Sequence, residues 1–332
     1  MKKIVFLALI SVLFGCSAST VQIPDTTPDI PVINSNHYRI LKNDGLEEMD
    51  LSGLIEELNG ADVVFIGESH NDPVAHYIEF EVVKRFSDRY GKTAVSMEMF
   101  ERDVQYILDE YMKGYVQESF LIKDARAWNN YEIDYKPVVE FARENDFYVI
   151  AANAPRRYVR IVSTGGLEAL YRLSDDALDH IAPLPLKMPP DNKYQQKFFN
   201  LMMGNMPAMV KKEDTEEKKD AALPEKPQMP AAMNDRVMRS FHAQVLWDAT
   251  MAYSIGQYYK DYPGVPIIHF NGSFHSENRL GIVQHLMRDF PKMKIVTITI
   301  KSIDTFPEFE KNEFSDLADF IIVADGKLPR TY

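Results

Sequence analysis

The chain is almost without cysteine: Cys16 stands alone among 332 residues. A single thiol excludes a disulfide framework and any zinc or iron–sulfur centre built from several cysteines. Long apolar runs are missing past the N-terminus, where nothing approaches the roughly 20 residues of a helical membrane span. Positive charge is also short, with 37 Lys and Arg against 49 Asp and Glu and a formal net charge of −12. That balance argues against nucleic acid as a partner, because neutralising phosphates takes clustered cations. Neither HExxH nor GxSxG occurs, which removes the usual zinc-protease and hydrolase-elbow signatures. What the chain does have is apolar residues, 45% of the total, enough to fill a core at this length.

The position of the lone cysteine is informative. The chain opens MKKIVFLALISVLFGC. Lys2 and Lys3 make a positive start, residues 4–14 are apolar but too short for a stable span, and Leu13-Phe14-Gly15-Cys16 resembles the cleavage box of bacterial lipoproteins. The expectation is a signal peptide over residues 1–15, cleavage before Cys16, and acylation of Cys16. Buried acyl chains contribute about 0.8 kcal/mol per CH₂, so several of them anchor a protein stably. Lys2 and Lys3 leave with the peptide, taking the formal charge from −12 to −14. Residues 16–36, with Pro24, Pro28 and Pro31 among Ser, Thr and Asn, read as a tether, and residues 37–332 as one domain.

Within the domain, apolar runs rich in β-branched residues at 61–65, 93–97, 147–151, 266–270, 294–300 and 319–323 read as buried strands. Helical patterns lie between them: one opened by Asn71-Asp72-Pro73, others at 101–111 and 137–144, and one from Pro155. The alternation predicts an α/β fold with a mostly parallel sheet flanked by helices. A helical insertion over 165–262 separates the third strand from the fourth. Inside it, residues 211–232 are charged, proline-bearing and poor in core formers, and read as a mobile loop. Asn234 is suited to cap the long helix that follows, which runs to about Lys260.

Four strands run into polar motifs: GESH at 67–70, EMF at 98–100, NAPR at 153–156 and NGSFH at 271–275. Ligands of open parallel sheets sit beyond the carboxyl ends of strands, so these motifs are expected to converge on one cleft. For any one of these residues capping or packing is the commoner role; their convergence is what points to a site. Glu68, His70, Glu98 and His275 are oxygen and nitrogen donors fit for Zn²⁺, Mn²⁺ or Fe²⁺, or for metal-free acid–base work. Tyrosine offers another chemistry, since phenolate is a hard ligand for ferric haem. Tyr158 follows Arg156 and Arg157, whose charge favours phenolate, and Tyr135 lies in WNNYEIDYKP, a loop-like stretch at 128–137. Eight of the 16 methionines fall within 188–238, which suits either a broad apolar ligand surface or a helical hairpin packed on the sheet.

The runs VVFIGESHNDPVAHY, MEMF, WNNYEIDYKPVVEFAR, ANAPRRYVR, AQVLWDATMA and NGSFH, in this order over roughly residues 60–300, resemble the ChaN-like haem-binding uptake lipoproteins. These belong to a wider superfamily that includes the Tiki and TraB proteins and erythromycin esterases. The resemblance implies a lipid-anchored protein of the cell envelope, at the outer membrane of a Gram-negative bacterium, that binds haem at a homodimer interface for iron uptake. It implies that a tyrosine of one subunit holds the iron, while a histidine and a lysine of the other hold the propionates. Tyr135 is the first choice for the iron because it sits in the WxxYxxDYxP stretch that carries the resemblance; Tyr158 and Tyr194 are alternatives. His70, His275 and Lys136 are the propionate candidates, with Arg156 beside them. The same resemblance implies a rival reading, a Tiki-like hydrolase, either dependent on a divalent metal ion or working by acid–base chemistry. That centre uses His70, Glu98 and His275, with Glu68 as a further candidate.

Overall fold

The computed structural model describes residues 32–204 and 231–332. Cys16, the signal peptide, most of the tether and nearly all of the 211–232 stretch lie outside the described residues. The strands in chain order are β1 (Tyr38–Lys42), β2 (Glu47–Met49), β3 (Val63–Glu68), β4 (Ala94–Glu101), β5 (Val149–Asn153), β6 (Ile267–Gly272), β7 (Ile295–Ile303) and β8 (Phe320–Asp325). They form one eight-stranded sheet in the order β2-β1-β8-β7-β3-β6-β4-β5. The six strands read from the sequence are β3 to β8, and all their pairings are parallel. The β1–β2 hairpin, which joins antiparallel to β8, is an addition that the sequence pattern does not announce. Its second strand is three residues long and carries no buried residue, so no apolar signal marks it.

Helices in chain order are α1 (Leu51–Glu57), α2 (Pro73–Tyr90), α3 (Gln105–Met112), α4 (Glu118–Asp124), α5 (Lys136–Glu144), α6 (Arg156–Gly165), α7 (Asp175–Leu178), α8 (Lys193–Gly204), α9 (Ala231–Asp261) and α10 (Ile282–Asp289). Asp72 caps α2 by accepting from the Val74 amide at 2.9 Å, and Pro73 sits in the first turn, where its missing N–H costs nothing. Two local expectations need correction. Residues Tyr131–Tyr135 are not loop-like but form a π-helical turn that runs straight into α5. Helix α9 begins at Ala231, ahead of Asn234, so Asn234 is not its cap.

Parallel strands covered on both faces carry near-continuous apolar runs, and β3 is buried at every position. Its side chains alternate between two cores. Val64 and Ile66 pack with residues of α1, α2, α3 and α5, whereas Val63 and Phe65 pack with residues of α9 and α10. Each large apolar side chain buried in these layers contributes about 1.5–3 kcal/mol. Among the described residues no helix is long and apolar enough to cross a membrane. The strand order then decides where chemistry can occur. Strand β6 returns from the helical insertion to lie between β3 and β4, so the ends of GESH, EMF and NGSFH become neighbours.

Candidate functional site

At the ends of β3, β6 and β4 the polar motifs meet as expected. Pairing of β4 with β5 shifts register between Met97 and Glu101, an irregularity that frees Glu98 from the regular ladder. Its Oε2 accepts from the Gly272 amide at 2.7 Å, while Asn153 donates to its backbone carbonyl at 3.0 Å. His70 Nδ1 lies 2.8 Å from Glu68 Oε1. His275 Nδ1 lies 2.5 Å from Asp248 Oδ1, and its Nε2 is 3.6 Å from Glu98 Oε1. Two imidazoles are thus each held by a carboxylate at Nδ1, which sets the tautomer and leaves Nε2 for the cleft.

The cleft between them has a volume of about 290 Å³. Glu68, His70, Gln244, Gly272 and His275 line one part, and Phe198, Leu201 and Phe274 form an apolar wall. Gly272 leaves room for the His70 ring: a Cβ at that position would stand 2.9 Å from His70 Nε2, so a side chain there displaces the imidazole. Burial disfavours the His275 cation, but Glu98 and Asp248 overcome that and push it up to about 9. His70 is also raised, since Glu68 and Glu98 outweigh its burial. Burial would raise the Glu68 carboxyl, yet His76 and His70 hold it below the usual carboxylate range.

Behind Glu68 lies a second, fully enclosed layer. Tyr135 donates its hydroxyl to Glu68 Oε1 at 2.7 Å. His76 Nδ1 lies 3.1 Å from Glu68 Oε2 and 3.2 Å from Glu79 Oε2, and its Nε2 is 3.4 Å from Asp134 Oδ2. Asp134 Oδ2 in turn accepts from Asn130 at 2.7 Å and from Thr331, near the end of the chain, at 2.8 Å. The four donors read from the sequence as a metal set gather at one cleft, but no three of their ligand atoms all lie within 4.8 Å of one another. Among the described residues, the one trio of potential ligand atoms all within 4.8 Å of one another is Glu68, His76 and Glu79, sharing only Glu68 with that set.

The remaining candidates fall in different places. Tyr135 is fully enclosed, and burial followed by the Glu68 and Glu79 charges pushes its phenol far above the ordinary value. Tyr194 is equally enclosed, raised first by burial and then by Asp248, and its hydroxyl accepts from Gln244 at 3.2 Å. Tyr158 is buried as well, at 8% exposure; Arg157 stacks on its ring at 4.4 Å and donates to its hydroxyl at 3.1 Å. Lys136 follows Tyr135 but points the other way, pairing with Glu118 at 2.7 Å outside the cleft. Arg156 lies over the Trp128 ring at 5.6 Å, and Trp128 meets His70 edge-on at 4.8 Å, so these form a rim beside the cleft.

Asp248, His76, Glu79 and Asp134 are absent from the sequence-based candidates. A signal existed for Glu79, which interrupts the apolar stripe of α2 formed by Ala75, Ile78, Val82 and Phe86. Asp248 similarly sits between Leu246 and Ala249 on the buried side of α9. Charges on a core-facing stripe are rarely unpartnered.

With this geometry in view, comparisons with known proteins are specific. The family described as haem-binding uptake, Tiki superfamily, ChaN matches residues 54–286. Among solved structures, ChaN of Campylobacter jejuni, described with cofacial haem binding, superposes with a TM-score of 0.62 at 17% identity, covering 89% of this chain and 100% of that one. An erythromycin esterase in its open conformation gives a TM-score of 0.46 at 11% identity, covering 87% and 83%. Among curated proteins, the chloroplastic RETICULATA-RELATED 5 of Arabidopsis thaliana is 28% identical over 126 residues, 35% of this chain but only 17% of that protein's length.

Proposed function

The chain belongs to the haem-binding uptake family of the Tiki superfamily, ChaN, and on that premise we propose that it is a haem-binding protein serving iron uptake at the cell envelope. The family match over residues 54–286 carries the reading. Haem is here the cargo. It needs a donor for ferric iron that is open to approach, cations for its propionates, and an apolar surface for the macrocycle. Tyr135 and Tyr194 do not meet the first need, because both hydroxyls are enclosed and hydrogen-bonded. Tyr158 comes nearer to it: at 8% exposure it is the least enclosed of the three, and the Arg157 guanidinium donates to its hydroxyl. We therefore assign the iron to Tyr158 at a homodimer interface, with Arg156 on the rim for a propionate. Cys16 carries the lipid that tethers the protein to the outer membrane of a Gram-negative bacterium.

The test is a hemin titration of the chain from residue 16 onward, followed by sedimentation. A saturable Soret shift with dimer formation is expected, lost in Tyr158→Phe and retained in Tyr135→Phe. No shift at micromolar hemin overturns the reading. Mass spectrometry of membrane-extracted protein should find the acyl groups on Cys16, and Cys16→Ala should release the protein from membranes.

One observation favours a hydrolase as the second reading. The pairs His70–Glu68 and His275–Asp248 face one cleft with Glu98 against it. His275, held protonated to about 9, is placed to act as general acid, and His70 as base toward water. Turnover of an ester or peptide that is abolished in Glu98→Gln would establish it.

A further inference from the structure

Glu68 faces two ways. Its Oε1 takes the hydrogen bonds of His70 and Tyr135 on the cleft side. Its Oε2 turns inward to a chamber that neither reading above uses. We propose that Glu68, His76 and Glu79 bind a divalent first-row transition ion, with Zn²⁺ the best match, in a closed site beneath the cleft.

Spacing is the first support. His76 Nδ1 stands 3.1 Å from Glu68 Oε2 and 3.2 Å from Glu79 Oε2. Donors that each sit about 2.0–2.2 Å from a tetrahedral ion lie about 3.3–3.5 Å from one another. Two sides of the trio are therefore within a few tenths of an ångström of that spacing, and the third, between the carboxylates, is no longer than 4.8 Å.

Unused valence is the second. Glu68 Oε2 and Glu79 Oε1 are buried oxygens without a hydrogen-bond partner. The contact from His76 to Glu68 is close but misaligned for a hydrogen bond. Buried carboxylate oxygens left unpaired are rare and costly, and both of these belong to the trio. A cation satisfies both, and the second oxygen of Glu79 supplies a fourth donor.

The surroundings of the imidazole are the third. His76 Nε2 lies 3.3 Å from the His70 carbonyl oxygen and 3.4 Å from Asp134 Oδ2. Asp134 is itself fixed by Asn130 and Thr331. Metal-binding histidines characteristically give their other ring N–H to such a carbonyl or carboxylate, which fixes the ring and its basicity.

Charge agrees with this. Three buried carboxylates, Glu68, Glu79 and Asp134, surround one imidazole, and among the described residues no Lys or Arg pairs with any of them. One imidazole with two carboxylates and no thiolate suits Zn²⁺, Fe²⁺ or Mn²⁺ rather than Cu⁺. The ion acts on the cleft through Glu68, whose other oxygen orients His70.

The experiment measures metal in the chain from residue 16 onward, purified without chelator and then incubated with Zn²⁺. About one ion per chain is expected in wild type and in His275→Ala, falling at least fivefold in Glu79→Gln. X-ray absorption at the zinc edge of the wild type supplies a readout that survives misfolding of a variant. It should show a single imidazole among oxygen donors. Absence of metal after Zn²⁺ incubation overturns the proposal. So does a spectrum with two imidazoles, or metal lost in His275→Ala but kept in Glu79→Gln, since either places the ion between His70 and His275 in the cleft.

Discussion

The two histidines of the cleft come from matching tetrapeptides, yet they are held by different means. His70 takes its carboxylate from within its own motif, two residues back at Glu68, in a turn that directly continues β3. His275 takes its carboxylate from Asp248 on α9, 27 residues earlier in the chain and delivered by packing of that helix on the sheet. The first pair is therefore built by local geometry. The second exists only once the insertion has folded back. His70 keeps about a third of its side chain exposed, at 31%, whereas His275 keeps 10% and Asp248 none. The remote pair is the more enclosed one, so losing a partner there leaves a charge with less water to turn to.

That difference sets an order of expected effects. Asp248→Ala should be the most damaging change, destabilising the fold by about 3–5 kcal/mol in urea unfolding, because it strands a buried imidazolium. The same variant should lower the ionisation of His275 from about 9 when followed by NMR. An unchanged titration would break the comparison. Next comes the pH profile of the wild type. His275 is raised above the unfolded value, so its stabilisation is fully present below about 6.5 and is lost as pH rises through about 9. Buried His285 and His269 are lowered, to about 4 and about 3, so their stabilisation is present above about 6.5 and is lost as pH falls toward those values. Urea midpoints should peak between these limbs, and Asp248→Ala should reduce the alkaline loss without abolishing it, because buried His76 is raised as well, to about 10.

Tyr135→Phe probes the local pair. It removes one hydrogen bond to the Glu68 carboxylate and should cost about 1.5–3 kcal/mol by urea unfolding, with His70 resonances shifted and those of His275 unmoved. The smallest effect belongs to Gly272→Ala, whose added methyl crowds His70 Nε2 and should cost about 1–2 kcal/mol. If it perturbs His275 as strongly as His70, the two pairs are coupled rather than separately built.

Local pattern alone was enough for the parallel core. Strands β3 to β8 announce themselves through near-continuous apolar runs, and β3 to β6, buried almost throughout, each end in a polar motif. The hairpin β1–β2 is illegible for another reason: both strands are short, β2 has no buried residue, and β1 is placed by edge pairing to β8. The four motifs at strand ends could be placed on one side of a sheet by a general rule, and Glu68, His70, Glu98 and His275 do gather there.

Direction of side chains is another matter. Tyr135 and Lys136 are adjacent in sequence, but the helical turn sends the hydroxyl inward to Glu68 and the ammonium outward to Glu118. By itself, then, the sequence determined the α/β class, the strand ends that carry chemistry and the motifs that place this chain in its family. Only the tertiary structure decided which carboxylate serves which histidine, how deeply each candidate tyrosine is buried, and that a buried His76 and Glu79 stand behind the cleft. The physical reason is range. Apolar periodicity is written every two or four residues along the chain, whereas Asp248 and Thr331 acquire their partners only when distant segments pack and water is removed between them.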